Sequence, residues 1–175
     1  MMGIAMTGEL KYIFFNTDAG WVGALSSEKG LRGFTLPQRS AQEVRQLLGA
    51  NVDSITRSPH LFQNLVERFK LYFSGHKTAF PDKLDLSGAT PFQREVWEAT
   101  RLIPFGETRS YSWVAEQIGK PRAVRAAGRA LGRNPLPVVI PCHRVIASDG
   151  GLGGYGGGIE MKKYLLHLEA SVSNR

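Results

Sequence analysis

The stretch Ser110–Asn134, SYSWVAEQIGKPRAVRAAGRALGRN, decides the fold of the second half of the chain. A helical pattern runs to Gly119, and a second one follows a Lys-Pro break. Two helices joined by a short turn are typical of a helix-turn-helix unit. Apolar residues recur three and four positions apart in both helices: Tyr111, Val114, Ala115 and Ile118, then Val124, Ala127, Gly128 and Leu131. The sequence therefore predicts that the two helices pack through these faces.

The second helix also carries a basic face. Its four arginines cluster about 155° from the apolar residues, at about 100° per residue: Arg122, Arg125, Arg129 and Arg133. A solvated face explains such a cluster on a lone helix, but within a helix-turn-helix it favours contact with nucleic-acid phosphates. Ala126 and Ala130 lie between the two faces and have no long polar groups for reading base edges. We therefore expect binding with little sequence preference.

Cys142 is the one cysteine among 175 residues, and it follows the apolar run Leu136–Ile140 and a proline. A buried cysteine at a strand end is usually a small hydrophobic residue. Here His143 is its neighbour, and Asn134 lies upstream where its amide could donate a hydrogen bond into the site. Neighbours in a strand point to opposite faces, so contact between Cys142 and His143 requires a turn.

Two downstream features favour a reactive cysteine. The loop SDGGLGGYGGG has seven glycines between Asp149 and Ile159 and could present backbone N–H groups to a flat ligand, with Tyr155 as its one ring. A nucleophilic thiol needs a base and a group that orients the base. Glu169 in the last helical stretch could orient and charge-balance His143. A Cys–His–Glu relay is compatible with the spacing but does not follow from it.

The first half of the chain is expected to form a small α/β unit. Aromatic and β-branched runs separated by turn residues predict an antiparallel meander of three strands: Leu10–Thr17, Gly20–Ser27 and Gly30–Pro37. Ser40 and Glu43 predict a capped helix, and Ser58 with Pro59 predicts the start of a longer one. Irregular sequence then leads to a domain boundary near residue 88, after which Thr90 and Gln93 predict another capping box.

Composition restricts the classes of function. The net charge is +7, and residues 89–175 carry twelve Lys and Arg against seven Asp and Glu, which favours a polyanionic partner. A single cysteine excludes an intrachain disulfide and indicates a reducing cytoplasm. No apolar run approaches the ~18 residues of a membrane span, so we expect a soluble protein. His60 and His76 have no ligand-spaced partners, so we predict no metal site and no cofactor.

Several segments together resemble the O6-alkylguanine–DNA alkyltransferase family. The resemblance spans roughly residues 88–170 and rests on these motifs: TPFQREVW, IPFGETRSYSWVAEQIGKPRAVRAAGRALGRNP, PCHRVI, GYGGG and KKYLLHLE. It implies an α/β N-terminal domain with a small antiparallel sheet, over 1–88. Over 89–175 it implies a mainly α, winged helix-turn-helix-like domain that holds the reactive cysteine. Some family members bind zinc in the N-terminal domain, but one cysteine here predicts no such site.

The resemblance also implies an activity and a role for each site residue. A monomer would bind double-stranded DNA from the minor groove, rotate the damaged nucleotide out, and irreversibly transfer one alkyl group from O6-alkylguanine to Cys142. O4-alkylthymine is a second candidate lesion. His143 would deprotonate the thiol through a water, Glu169 would hold His143, and Asn134 would hold the active-site turn. Tyr111 would protonate or hydrogen-bond the leaving guanine, and Tyr155 with the backbone at Val145 and Gly156 would line the guanine pocket. Arg125 would occupy the position that the extruded nucleotide leaves in the duplex. The other DNA contacts would come from Arg122, Ala126, Ala127, Arg129 and Arg133.

Two other functions remain open from the residues alone. A helix-turn-helix regulator with a structural cysteine would show strong sequence preference and form no covalent adduct. A cysteine hydrolase using Cys142, His143 and Glu169 would turn over an ester or an amide.

Overall fold

A computed structural model describes residues 9–49 and 51–173. Strands β1 (Lys11–Thr17), β2 (Gly20–Ser27) and β3 (Gly30–Phe34) form the predicted antiparallel meander. A fourth strand, β4 (Thr56–Arg57), pairs in parallel with β1, which gives the order β3-β2-β1-β4. The sheet is therefore mixed: the expected antiparallel meander is present, and the parallel β1–β4 pair departs from the prediction of a small antiparallel sheet. The chain passes from β3 to β4 through helix α1 (Ala41–Leu48). A parallel pair such as β1–β4 requires a crossover connection of this kind.

The first two helices differ in how well their starts were predicted. The Ser40 side chain caps α1 by accepting a hydrogen bond from the Glu43 backbone N–H at 3.2 Å. Helix α2 (Gln63–Phe73) begins four residues later than Ser58 and Pro59 indicated, and Phe62 occupies its N-cap position. The Ser58 backbone N–H donates to the Tyr12 carbonyl at 3.0 Å, which holds Ser58 at the edge of the sheet.

The second half is mainly helical. Helix α3 (Pro91–Arg101) starts with the predicted Thr90–Gln93 capping box. Helices α4 (Tyr111–Gln117) and α5 (Val124–Gly132) form the predicted helix–turn–helix pair, and α6 (Ile159–Ser173) closes the fold. Two short strands, β5 (Arg109–Ser110) and β6 (Val145–Ile146), pair in parallel and bring the start of α4 next to the segment that holds Cys142.

Buried side chains from both halves form one hydrophobic core. Phe34 of β3 stacks on Phe69 of α2 with ring centroids 3.8 Å apart, and this cluster continues into α3 and α5. Trp97 of α3 donates its indole N–H to the Ala130 carbonyl of α5 at 2.9 Å, which fixes the two helices against each other. No helix among the described residues is long and apolar enough to cross a membrane.

Candidate active site

A tight turn presents Cys142. The backbone N–H of Cys142 donates to the Ile140 carbonyl at 2.8 Å, and Cys142–Arg144 form one turn of 3₁₀ helix. This supplies the turn that a Cys142–His143 site requires. Val138, just upstream, has a φ of 73°, which is a strained conformation for a β-branched residue. Such strain is tolerated where the surrounding packing holds the chain, and Val138 is buried.

The amide of Asn134 holds both the turn and the sulfur. Its Nδ2 donates to the Ile140 carbonyl at 2.8 Å and to Cys142 Sγ at 3.0 Å, while its Oδ1 accepts from the Leu136 backbone N–H at 2.8 Å. Burial raises the pKa of the Cys142 thiol, and the Asn134 amide and the Lys162 charge act in the opposite direction. Asn134 therefore donates to the sulfur in either protonation state and favours the thiolate.

His143, the residue after Cys142, forms a buried pair with Glu169. His143 Nε2 lies 2.7 Å from Glu169 Oε1, and both side chains are almost fully buried. A carboxylate only accepts, so Nε2 carries the proton and Nδ1 has the free lone pair. No described residue hydrogen-bonds to Nδ1. Burial lowers the pKa of His143, which keeps the ring neutral and able to take a proton.

Glu169 accepts hydrogen bonds from three further residues, none of which the sequence indicated. The Arg144 guanidinium donates from Nε to Oε2 and from Nη2 to Oε1, both at 2.9 Å, and Tyr72 Oη donates to Oε1 at 2.8 Å. The Gly106 backbone N–H donates to Oε2 at 3.0 Å. Burial raises the pKa of Glu169, but the bonds and charges of His143 and Arg144 lower it to about 2. Glu169 is therefore a fixed anion.

Cys142 lies at a cavity of about 670 Å³ that also opens onto the α5 arginines. Tyr111 at the start of α4, Tyr155 and Gly156 of the glycine loop, and Arg125 and Arg129 of α5 all line it. Burial raises the pKa of Tyr111, so its hydroxyl keeps its proton and is a donor at neutral pH. The Tyr155 hydroxyl is buried near Cys142, and it opposes the rise that burial causes in the pKa of the thiol. The cavity thus combines aromatic walls with polar groups near the sulfur, as ligand sites commonly do.

The glycine loop is held by Lys162, a residue that no sequence pattern indicated. This buried lysine on α6 donates from Nζ to the carbonyls of Val145 at 2.6 Å, Gly154 at 3.3 Å and Leu152. Its ammonium also lies 5.7 Å from the centre of the Tyr111 ring. The sequence gives no signal for these contacts of Lys162. They depend on how the glycine loop folds over α6.

Some site residues lie elsewhere than expected. Val145 does not reach the cavity: it is fully buried in β6, and its carbonyl accepts from Lys162. Ala127 is also fully buried between α5 and the core, so the expectation that it contacts DNA was wrong. The basic residues Arg122, Arg125, Arg129 and Arg133 are all exposed, but Arg122 precedes α5 and Arg133 follows it. Ala126 lies half-buried beside them. Within 9–49 and 51–173, no three His, Cys, Asp or Glu side chains group as metal ligands.

Comparisons with known proteins agree with this combination of a helix–turn–helix pair and a cysteine cavity. Residues 91–171 match the family described as 6-O-methylguanine DNA methyltransferase, DNA binding domain. The chain is 54% identical over 114 residues to a methylated-DNA–protein-cysteine methyltransferase of Mycolicibacterium paratuberculosis, covering 65% of this chain and 68% of that protein. A protein of the same name from Methanosarcina acetivorans is 44% identical over 119 residues, covering 68% and 76%.

Solved structures extend the similarity to the first half of the chain. The Mycobacterium tuberculosis O6-methylguanine methyltransferase superposes with a TM-score of 0.76 at 39% identity, covering 93% of both chains. The OGT of the same organism in complex with DNA gives 0.77 at 40% identity, covering 93% of this chain and 94% of that one. The chain belongs to the O6-methylguanine–DNA methyltransferase family.

Proposed function

We propose that this protein repairs alkylated DNA by moving an alkyl group from O6 of guanine to Sγ of Cys142. One observation carries the proposal: a thiol hydrogen-bonded by Asn134 and backed by the His143–Glu169 pair lies at a cavity that opens onto exposed arginines. A purely structural cysteine needs neither the amide donor nor the buried base.

The reaction is a direct displacement at the alkyl carbon. His143 Nδ1 takes the Cys142 proton through a water, since its other nitrogen is bound to Glu169. The sulfur electron pair forms the new S–C bond as the C–O6 bond breaks, and that bond's electrons stay on guanine. Guanine then takes up one proton and leaves as a neutral base. The Tyr111 hydroxyl donates to the ring as negative charge develops on it.

The cavity walls select a flat, extruded base. Tyr155 stacks on the guanine ring or walls it, and the exposed backbone of Gly156 offers an N–H without a side chain in the way. Gly156 places no side chain in the cavity, which favours acceptance of bulky alkyl groups such as benzyl. The same displacement applies to O4-alkylthymine.

Helices α4 and α5 act as a winged helix-turn-helix-like unit that binds double-stranded DNA from the minor-groove side. Arg122, Arg129 and Arg133 contact phosphates, and Ala126 allows close approach to the groove. Arg125, at the rim of the cavity, fills the space of the extruded nucleotide. The DNA complex of the similar Mycobacterium tuberculosis protein supports DNA as the partner.

The protein acts once, as a monomer, and in the reducing cytoplasm. A thioether to an alkyl carbon has no acyl group for water to attack, so Cys142 is not regenerated. The thiol must also stay reduced before it meets DNA. Residues 89–175 hold the reactive groups and the DNA surface, and residues 1–88 form the α/β domain that supports them.

Intact-mass measurement after incubation with free O6-benzylguanine tests the proposal. We expect one benzyl increment on the wild-type protein and none on Cys142→Ser. An unchanged wild-type mass would favour a DNA-binding regulator. Release of more guanine than there is protein would favour a hydrolase.

A further inference from the structure

A hydroxyl group from the first half of the chain bonds directly to Glu169 in the reactive centre. Glu169 accepts five hydrogen bonds, four of them from His143, Arg144 and Gly106 in the second half. The fifth comes from Tyr72 on α2, whose Oη lies 2.8 Å from Oε1. The same hydroxyl is 3.5 Å from His143 Nε2. No motif of the sequence analysis included this tyrosine.

We propose that Tyr72 is a positioning residue for alkyl transfer, through which the N-terminal half fixes Glu169 and thereby His143. This inference rests on the proposed function for its reaction, and on contacts of Tyr72 for its mechanism. It assigns to the first half a part in the chemistry beyond structural support.

The geometry leaves Glu169 no freedom to rotate. A carboxylate has about four lone-pair sites, and here Oε1 accepts from Tyr72, His143 and Arg144 while Oε2 accepts from Arg144 and Gly106. If the phenol were absent, Oε1 would lose the donor that fixes its direction relative to the imidazole. The hydroxyl therefore holds the carboxylate in the direction that keeps His143 Nδ1 free for the cysteine side.

The Tyr72 ring is itself rigidly held. The residue is fully buried, and its ring makes edge contacts with Phe73 at 5.2 Å and Phe105 at 6.1 Å between centroids. Phe105 also lies 5.7 Å from the Arg144 guanidinium carbon. A phenylalanine at position 72 would keep these ring contacts, so Tyr72→Phe removes the hydroxyl with little change in packing.

Tyr72 also affects the charge that His143 experiences. The groups facing the imidazole are Glu169 and Lys162 on α6, Arg144 on its own turn, and Tyr72 on α2. Tyr72 and Arg144 both donate hydrogen bonds to the Glu169 carboxylate and so partly neutralise its negative charge. Without the phenol more of that charge acts on the imidazole, so the pKa of His143 rises and the base becomes protonated at higher pH.

The test compares the wild type with Tyr72→Phe and with Tyr164→Phe as a matched control. Tyr164 lies on α6 and is 38% exposed, so its hydroxyl removal should leave transfer unchanged. The rate of benzyl transfer from free O6-benzylguanine is followed by intact mass between pH 5 and 9. The His143 titration is followed in parallel by ¹⁵N NMR on unreacted protein.

For Tyr72→Phe we expect the acid limb of the pH–rate profile, and the His143 titration, to move up by about one pH unit. The rate then falls about tenfold below that limb and by less at pH 8. A uniform loss at every pH with an unmoved His143 titration, or no loss at all, would overturn the inference. If the wild type itself gains no benzyl group, the proposed function fails, and the NMR titration still decides whether the Tyr72 hydroxyl acts on His143.

Discussion

Replacing Glu169 by glutamine should damage both stability and reactivity. The substitution keeps the size of the side chain but removes the charge that pairs with Arg144 and receives His143 Nε2–H. In glutamine an NH₂ group replaces one of the two carboxylate oxygens. It would face a hydrogen-bond donor in either orientation, because both oxygens of Glu169 accept hydrogen bonds in the wild type. Arg144, about nine-tenths buried, would be left without a counter-ion.

The size of the stability loss follows from the carboxylate's titration. The pKa of Glu169 is about 2 instead of 4.5, since the bonds and charges of His143 and Arg144 outweigh burial. A group with a lowered folded-state pKa stabilises the protein above pH 4.5 and loses that contribution as the pH falls toward 2. The difference corresponds to about 3 kcal/mol, at about 1.4 kcal/mol per pKa unit. At neutral pH we expect Glu169→Gln to lose about 3–5 kcal/mol, typical of a broken buried pair, and to melt about 10 °C lower.

Asp85→Asn is a matched control. Asp85 is also buried, and although burial raises its pKa, hydrogen bonds from Ser27 and Ser87 and the charge of Arg32 lower it to about 2. It lies outside the reactive site, so its loss should cost about 2 kcal/mol and leave transfer unchanged. Stability is measured by urea unfolding with circular dichroism at pH 7 and pH 3, and reactivity by benzyl transfer to Cys142.

Reactivity separates the two variants. We expect Glu169→Gln to slow transfer by about 10²-fold or more, the usual contribution of a positioned base, while Asp85→Asn stays near the wild-type rate. If Glu169→Gln lost stability but kept its rate within a factor of about two, Glu169 would be a structural anion only. The proposed role of the Glu169 charge in holding His143 would then be wrong.

Three further predictions address DNA, the glycine loop and the spent protein. Arg125→Ala should slow repair in duplex DNA by about tenfold or more and leave transfer from the free base unchanged, because only the duplex requires extrusion; equal losses on both substrates would refute this role. Gly153→Ala should slow transfer and lower the melting temperature, since its Cβ would lie 2.6 Å from Tyr111 Oη at a φ of 69°, whereas Gly150→Ala has a φ of 87° and open space and should affect stability alone. Alkylated protein should melt below the free form, because the added group displaces the Asn134 donor from Sγ; an equal or higher melting temperature would contradict this.

Local signals in the sequence predicted most of the fold. The three-stranded meander, the cap at Ser40, the capping box at Thr90 and the α4–α5 pair all depend on residues within a few positions of each other. The predictions of the fold were wrong where contacts with residues distant in the sequence determine the local structure. Ser58 has the side chain of a cap, but its backbone bonds to Tyr12 at the edge of the sheet, and α2 begins only at Gln63. The parallel strand β4 has two residues and carries no pattern of its own.

The site was predicted in part for the same reason. Cys142, His143 and Asn134 are near one another in the chain, and the turn that joins them follows a proline-flanked apolar run. Tyr72, Arg144 and Lys162 act through contacts that chain folding creates, 97 residues apart in the case of Tyr72 and Glu169. A tyrosine and a lysine in amphipathic helices look like core and surface residues, and only their buried partners reveal what they hold.

The most direct measurement is a titration of duplex DNA that contains O6-methylguanine labelled on the methyl carbon. We predict that label transferred to protein reaches one methyl per molecule and stops, and that peptide mapping finds all of it on Cys142. Transfer that continues beyond one equivalent, or label on any other residue, would contradict the account.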